Sequence, residues 1–381
     1  MKSIRLHAAA LAASLLVAAC GGGGGDEGPR VPGPSGAPTA KGTFTSVVSF
    51  GDSLSDLGTY TPATATPNPA LPYLGGKWTT NAVGGKLWVE VMASSLSLPI
   101  TPAVMGFAGQ VMPCPLAVAC TGYAQGGSRV TDPVGNGNSA GAMTIPVKTQ
   151  IANHLAKGNF TANDLVLVWA GANDILIQFS GFVAKASAIS PTDPARSEKL
   201  LTAQIEADAA VKQAALELGS YVRTEVLGKG ASYVAVLNVP DLAITPLGLS
   251  LNANPATKAV VPVLSGLVST FNANLTVGLD RAAVHLVNAD ASFKTLAASP
   301  STYGFTNVTT PACDKDKISF ATGGLVADGS SLFCNADVGL LVTGADKDTW
   351  LFADSIHPSL GGHREIAKFV AADLKRIGWT N

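Results

Sequence analysis

Four short runs along the chain are almost continuously apolar: VVSF (47–50), LVLVW (165–169), YVAVL (233–237) and VHLV (284–287). Runs of four or five β-branched and aliphatic residues without polar alternation predict strands buried on both faces. Amphipathic stretches separate them. One helix is expected from TDPARSEKLL through AQIEADAAVKQAALELGSYVRTEVL, with Asp193 as N-cap, Pro194 at the first helical position and a stop near Gly228. A second holds STFNANLTVGLDRAA. A last one follows His357, with Ile366, Val370, Leu374 and Ile377 on one face and Gly378 ending it. A further strand is expected between 98 and 124, without a fixed place.

Strands alternating with helices predict an α/β fold with a parallel sheet covered on both faces. Sites in such sheets form at the carboxyl ends of the strands, so functional residues should follow the apolar runs.

The ends of the pattern change the picture. Lys2 and Arg5 precede the apolar stretch AAALAASLLVAA and then Cys20, which reads as an export signal over 1–19. LVAAC resembles a bacterial lipobox, with Cys20 as the lipidated residue and Gly21 after it pointing to the outer membrane. Plain cleavage, leaving Cys20 unmodified, is the alternative. Residues 20–42 are rich in Gly and Pro and read as a flexible tether. The remainder, 43–381, reads as one domain.

Without residues 1–19, 23 basic residues face 26 acidic ones, and no basic stripe stands out, so nucleic acid is not an expected partner. The four cysteines beyond Cys20 suggest two disulfides in an exported chain. Pairing Cys114 with Cys120 and Cys313 with Cys334 closes the shortest loops. A zinc site is the rival reading, but the spacing is wrong for it and neither pair has a histidine nearby.

Candidate chemistry begins at the first run, which breaks into GDS. Ser53 would sit at a strand end and at the mouth of a helix, whose N–H groups suit a developing oxyanion. Asp52 or Ser53 as a simple N-cap is the bland alternative. A rival serine is Ser139, in GNSAG, which fits the G-x-S-x-G pattern. No apolar run precedes it and Pro146 follows, so it reads as a surface loop. After the second run, Asn173 is placed to point an amide into the same crevice; an Asx-type cap is the alternative. Asp354 and His357 are three apart, a spacing at which a carboxylate on one turn can bond an imidazole and leave its other nitrogen as a base. Of the other histidines, His7 lies in the signal, His285 in a strand run, His154 on a polar helix face, and His363 on the last helix without an adjacent acid. His357 is the best base by elimination.

FGDSLSD, GYAQGGSR, GANDI and DSIHP, in that order, together resemble the SGNH, or GDSL, hydrolase family, in its bacterial secreted phospholipase and lecithinase-like branch. The resemblance extends to KWTTNAVGGKLWVEVMA (77–93) and NVPDLAITP (238–246), and covers nearly all of 44–378. It implies a three-layer, flavodoxin-like α/β/α fold and a carboxylic-ester hydrolase that needs no metal or organic cofactor. Carried over by position, Ser53 is the nucleophile, with Asp354 and His357 completing the triad. The oxyanion donors are the Ser53 N–H, the Gly127 N–H, with Gly126 one residue away as the alternative, and the Asn173 amide. The second motif departs from the family at Gly122, where many relatives have Asn. The resemblance leaves open an acyltransferase using the same serine, and a surface lipoprotein that binds without catalysis. The intact Ser53, Asn173, Asp354 and His357 argue against the latter. The expected partners are an ester or lipid substrate and a membrane through the anchor, with the protein as a monomer. The stretches 60–76 and 96–150 are expected to line the crevice rim.

Overall fold

A computed structural model describes residues 33–114 and 119–381. Cys20, the expected signal over 1–19 and the first part of the expected tether lie outside these residues. The strands are β1 (Ser46–Gly51), β2 (Val104–Phe107), β3 (Gln110–Pro113), β4 (Asp164–Trp169), β5 (Tyr233–Leu237) and β6 (His285–Val287). The α-helices are α1 (Trp88–Ser95), α2 (Val147–Leu155), α3 (Ala172–Ala188), α4 (Arg196–Tyr221), α5 (Pro246–Ala253), α6 (Val261–Gly278), α7 (Ala289–Ala298), α8 (Lys315–Ala321) and α9 (Leu360–Arg376).

The four apolar runs become one parallel sheet in the order β1-β4-β5-β6. Their lack of alternation has a direct cause, because both faces are covered. Val48, Phe50, Val166, Val168, Val234 and Val236 point into a core shared with α2, α3, α4 and α6. Their neighbours Val47, Leu165, Leu167, Trp169, Ala235 and Leu237 point the other way, into a core shared with α1, α7 and α9. Each strand therefore supplies two cores at period two, and no position along it is left for a polar side chain facing water. This is the expected three-layer α/β/α architecture.

The strand sought between 98 and 124 resolves into two features. The first is the antiparallel hairpin of β2 and β3, outside the main sheet. The second is the segment 121–125, which runs parallel to β1 as a fifth edge. Ser49 donates to Thr121 O at 2.9 Å, Tyr123 to Ser49 O at 2.8 Å, and Gln125 to Gly51 O at 3.2 Å.

Three expectations are corrected. The tether does not extend to 42, because the chain is already docked on the body from Gly33. Gly33 N–H donates to Asp280 Oδ1 at 2.9 Å, Gly42 N–H to Trp379 O at 3.0 Å, and Trp379 Nε1–H to Pro38 O at 2.6 Å. Helix α4 starts at Arg196 rather than at Pro194, because Asp193 caps a preceding turn through the Ala195 N–H at 2.8 Å. Its α-helical part ends at Tyr221, continued by a π-turn at Val222–Val226 and a 3₁₀ turn at Leu227–Lys229. His154 is not on a polar face. It stacks on Phe160 with ring centroids 4.2 Å apart and packs edge-on against Phe50 and Tyr123. Burial lowers its pKa, so this ring is a neutral member of an aromatic cluster.

Helix α6 is long and apolar enough to cross a membrane by composition, but Leu264, Leu267, Phe271 and Leu275 are all core.

Candidate active site

Ser53 lies two residues past β1, in a 3₁₀ turn at Ser53–Ser55 whose N-cap is Asp52. The N-cap reading of GDS holds at Asp52, whose Oδ1 accepts the Leu54 N–H at 3.2 Å, and this capped turn begins at the neighbouring serine. Gly51 makes the turn possible. Its φ is +151°, and a Cβ there would sit 2.0 Å from Trp169 O on the adjacent strand. Gln150 on α2 fixes this glycine, with Oε1 accepting its N–H at 2.9 Å and Nε2 donating to its carbonyl at 2.8 Å.

The structure brings the sequence candidates together. His357 Nε2 is 2.8 Å from Ser53 Oγ. His357 Nδ1 lies 2.8 and 2.7 Å from the two carboxylate oxygens of Asp354. The Asp-x-x-His spacing works through a tight loop. The His357 and Ile356 N–H groups donate to Asp354 Oδ1 at 2.8 and 3.0 Å. Ala353 N–H donates to His357 O at 2.8 Å. Ser331 N–H completes the set by donating to Asp354 Oδ2 at 3.0 Å. Burial alone would push the Asp354 carboxyl up. The charge and hydrogen bond of His357, with the Ser331 and Ile356 bonds, outweigh it and hold this pKa well below the usual carboxylate range.

Both disulfides form as paired in the sequence, Cys114 with Cys120 and Cys313 with Cys334, which removes the thiols a zinc site would need. The second pair brackets Asp354. Cys313 N–H donates to Ala353 O at 2.9 Å, and Cys334 N–H to Ser331 O at 3.1 Å.

The three segments expected to donate to an oxyanion leave three adjacent edges on one end of the sheet: 121–125, β1 and β4. Asn173 is reached through Gly171, whose φ of +113° turns the chain from β4 into α3. Asn173 is buried, and its Nδ2 donates to Ser128 O at 3.0 Å. Its Oδ1 accepts from Asn136 Nδ2 at 2.7 Å, which fixes which end of the amide is the donor. The Gly126 N–H is committed to Asp56 Oδ2 at 2.8 Å. The N–H groups of Ser53 and Gly127 make no hydrogen bond among the described residues.

Ser139 sits exposed in a 3₁₀ turn at Asn138–Ala140, with no strand before it. His285 is half-buried and pairs with Asp373 Oδ2 at 2.6 Å. His363 is fully buried; burial pushes its pKa down to about 3, so it is neutral at any ordinary pH.

Sequence reasoning missed several residues that shape this site. Trp78 packs on His357 with ring centroids 4.9 Å apart. Asp174, next to Asn173, binds Arg129 Nε at 3.1 Å and the Val130 N–H at 3.0 Å, tying the 126–130 loop to α3. Asn136, Gln150 and Ser331 are the others. A cavity whose wall includes Trp78 and Asn136 draws on 60–76, on parts of 96–150 and on 321–333, the last of which the sequence did not flag.

The family described as GDSL-like Lipase/Acylhydrolase matches residues 47–370. Esterase EstA of Pseudomonas aeruginosa is 27% identical over 358 residues, 88% of this chain and 47% of that protein, and the esterase EstA of Pseudomonas putida matches to the same extent. The chain thus spans about half the length of the curated relatives it matches. Solved structures with a similar course include Axe2, an acetylxylan esterase from Geobacillus stearothermophilus, at 14% identity over 90% of this chain and 98% of that one, with a TM-score of 0.31. Est24, a carbohydrate acetylesterase from Sinorhizobium meliloti, is 16% identical over 86% of this chain and 98% of that one, with a TM-score of 0.34. With 324 consecutive positions matched by the family and its motifs gathered at one end of the sheet, the chain belongs to the GDSL-like lipase/acylhydrolase family.

Proposed function

We propose that this protein hydrolyses carboxylic esters through an acyl-serine intermediate on Ser53. The observation that carries the reading is the 2.8 Å contact between Ser53 Oγ and His357 Nε2, with Asp354 on the other ring nitrogen. A serine hydroxyl is a poor nucleophile until a base takes its proton. His357 Nε2 accepts that proton as Oγ attacks the ester carbonyl carbon, and the Asp354 carboxylate stabilises the imidazolium that results. The carbonyl electrons move onto oxygen, where the Ser53 and Gly127 N–H groups and the Asn173 amide are the proposed donors. Fixed donors stabilise this charge without reorganising, and losing one typically costs about a hundred- to a thousandfold in rate. The intermediate collapses as His357 returns the proton to the leaving alcohol. Water then attacks the acyl-enzyme, giving its proton to His357, and the acid leaves as Ser53 is reprotonated.

Two disulfides suit an oxidising compartment. The finer placement, an outer-membrane protein anchored by a lipid on Cys20, rests on the LVAAC stretch alone. Metabolic labelling with a radioactive fatty acid, lost in Cys20→Ser, tests it; label retained in that variant refutes it.

The catalytic reading is tested with a nitrophenyl ester. Ser53→Ala should abolish hydrolysis and Ser139→Ala should leave it intact. A wild-type rate in Ser53→Ala sinks the assignment.

A further inference from the structure

Trp78 touches both halves of the proposed machinery. Its ring packs on that of His357 with centroids 4.9 Å apart and planes inclined at 35°. The two nitrogen edges of the imidazole are already taken, Nδ1 by Asp354 and Nε2 by Ser53. The indole covers a face of the ring instead. Its nitrogen edge lies against Gly126: a Cβ at that glycine would fall 2.2 Å from Trp78 Nε1 and 2.6 Å from Cε2. Gly126 has no positive φ, so this contact, not the backbone, excludes a side chain there. The next residue is Gly127, the proposed oxyanion glycine.

The turn that carries Trp78 is held without the indole. Gly76 N–H donates to Leu332 O at 2.9 Å. Asn81 Nδ2 donates to Lys77 O at 2.8 Å and to Ser331 O at 3.1 Å. Leu360 N–H, just past His357, donates to Thr80 Oγ1 at 3.1 Å. Ser331 is the residue whose own N–H binds Asp354. The turn is thus bonded on one side to the support of the acid and on the other to the start of α9, and it presents the indole from a fixed backbone. Nε1 is buried and makes no hydrogen bond among the described residues, so the indole acts through its face and its shape.

An aromatic face attracts a cation through its quadrupole, most strongly for Trp, at separations up to about 6 Å from the ring centroid. In the proposed reaction His357 becomes positive when it takes the Ser53 proton. The attraction therefore grows along the reaction path, and an interaction that is stronger in the transition state lowers the barrier. His357 is buried, where such a contact counts for more than at the surface. Resting on the ester-hydrolase reading, we infer that Trp78 is a positioning residue that stabilises the His357 imidazolium with its ring face and sets the Gly126–Gly127 segment with its nitrogen edge. One side chain then fixes the spacing between the base and an oxyanion donor. An aliphatic side chain would fill much of the same space without answering the charge, and that difference can be measured.

The test replaces Trp78 alone, in the full chain, by mono-, di-, tri- and tetrafluorotryptophan through amber-codon suppression. Fluorine withdraws negative charge from the ring face and barely changes its shape, and the altered N–H acidity has no bonded partner to act on. kcat on a nitrophenyl ester should fall stepwise with each fluorine, by about tenfold at the tetrafluoro ring, with KM nearly unchanged. Serine attack and water attack both place a proton on His357, so the acylation burst and the later deacylation should slow together. Trp78→Phe should retain more of kcat than Trp78→Leu. Gly126→Ala, which pushes the indole from its seat, should lower kcat in the wild-type background and cost much less in Trp78→Leu. A kcat independent of fluorination would overturn the imidazolium role, and equal costs of Gly126→Ala in the two backgrounds would overturn the spacing role; either result leaves ester hydrolysis standing. The ester-hydrolase reading fails separately, if no ester is cleaved or if Ser53→Ala stays active.

Discussion

Asp56 Oδ2 accepts the backbone N–H of Gly126 at 2.8 Å, and this one bond separates two adjacent glycines that the sequence could not tell apart. It occupies the donor of Gly126 and leaves that of Gly127 unpaired, so Gly127 is the proposed oxyanion glycine. The other Asp56 oxygen accepts the N–H groups of Gly58 and Thr59 at 3.0 and 2.7 Å. Asp56 is therefore a buried acceptor for three N–H groups that joins the Ser53 loop to the Gly127 loop. An asparagine in its place has one acceptor oxygen and turns an N–H₂ toward a donor. Asp56→Asn should cost about 1–3 kcal/mol of stability, from the unpaired group. It should also lower kcat about tenfold or more through a misplaced Gly127 N–H. Urea denaturation and steady-state kinetics on one ester measure both. A drop in stability with unchanged kcat would show that Asp56 does not set the donor.

The Cys313–Cys334 disulfide bears on catalysis through Ser331 and Asp354. Cys313 is paired to Ala353, beside Asp354, and the Cys334 N–H reaches the carbonyl of Ser331, whose own N–H binds Asp354. Closing a loop of this length is worth about 3 kcal/mol. Cys313→Ser/Cys334→Ser should therefore lose about that much stability. At a temperature where it remains folded, it should also show a lower kcat with little change in KM, because the acid that orients His357 is less well held. Cys114→Ser/Cys120→Ser is the control: it should leave kcat unchanged, since that bridge sits by Thr101 and Lys157, away from the loop that holds Asp354. Equal kcat losses in the two double variants would remove the link to Asp354.

Asp52 gives a prediction in pH. It is fully buried, and burial pushes its carboxyl up to about 7, against smaller lowering effects from the Leu54 N–H and His357. Among the described residues its Oδ2 has no hydrogen-bond partner, which suits a protonated group. Between the ordinary carboxylate pKa near 4 and the folded value near 7, the folded state holds a proton that the unfolded chain does not. Stability from this group is therefore present at the acid end of that window and declines as pH rises through it. Asp354 has the opposite sign, with stability lost as pH falls through its depressed folded pKa. Comparing Asp52→Asn with wild type isolates the first effect. From pH 5 to pH 7 the variant should gain on wild type by about 2 kcal/mol. Urea midpoints at the two pH values measure it. A constant difference would mean that Asp52 does not titrate in this range.

What could be read from the chain and what could not divide along sequence distance. The four sheet strands were legible because burial on both faces leaves them almost continuously apolar. Ser53 and Asn173 were legible because each follows such a run within a few residues. Asp354 and His357 share one tight loop, so their spacing carries the information. Asn136, Gln150 and Ser331 were not legible, because each acts on a residue 23 to 99 positions away, and an amide or a backbone N–H leaves no pattern in its own neighbourhood. His154 misled for a related reason. Helix α2 has only nine residues, too few for periodicity to show which side chains an aromatic cluster from other segments will cover. The end of the tether was missed because Gly33, Pro38 and Gly42 dock through their own backbone groups, which leave no side-chain signal in that stretch.

Asn136 comes from the loop that carries GNSAG, so the segment that offered a rival nucleophile contributes instead to holding the proposed oxyanion donors. Its Nδ2 binds Asn173 Oδ1 at 2.7 Å, and its own N–H donates to Gly127 O at 2.9 Å. The first bond fixes the direction of the Asn173 amide; the second holds the Gly127 carbonyl against this loop, at a residue whose φ is +79°. Only the first needs the side chain. In Asn136→Ala the Asn173 amide keeps only its bond to Ser128 O, and its N–H₂ is less firmly aimed. kcat should fall about tenfold, less than the hundredfold or more expected for Asn173→Ala, because the donor remains present but loosely held. Asn136→Asp should be worse than Asn136→Ala. The carboxylate can accept only if the Asn173 amide flips, and that flip turns its carbonyl oxygen toward the Ser128 carbonyl. In Asn173→Ala, adding Asn136→Ala should cost little more, since the side chain then has nothing to orient. Full additivity of the two substitutions in kcat would show that Asn136 acts on some other part of the site.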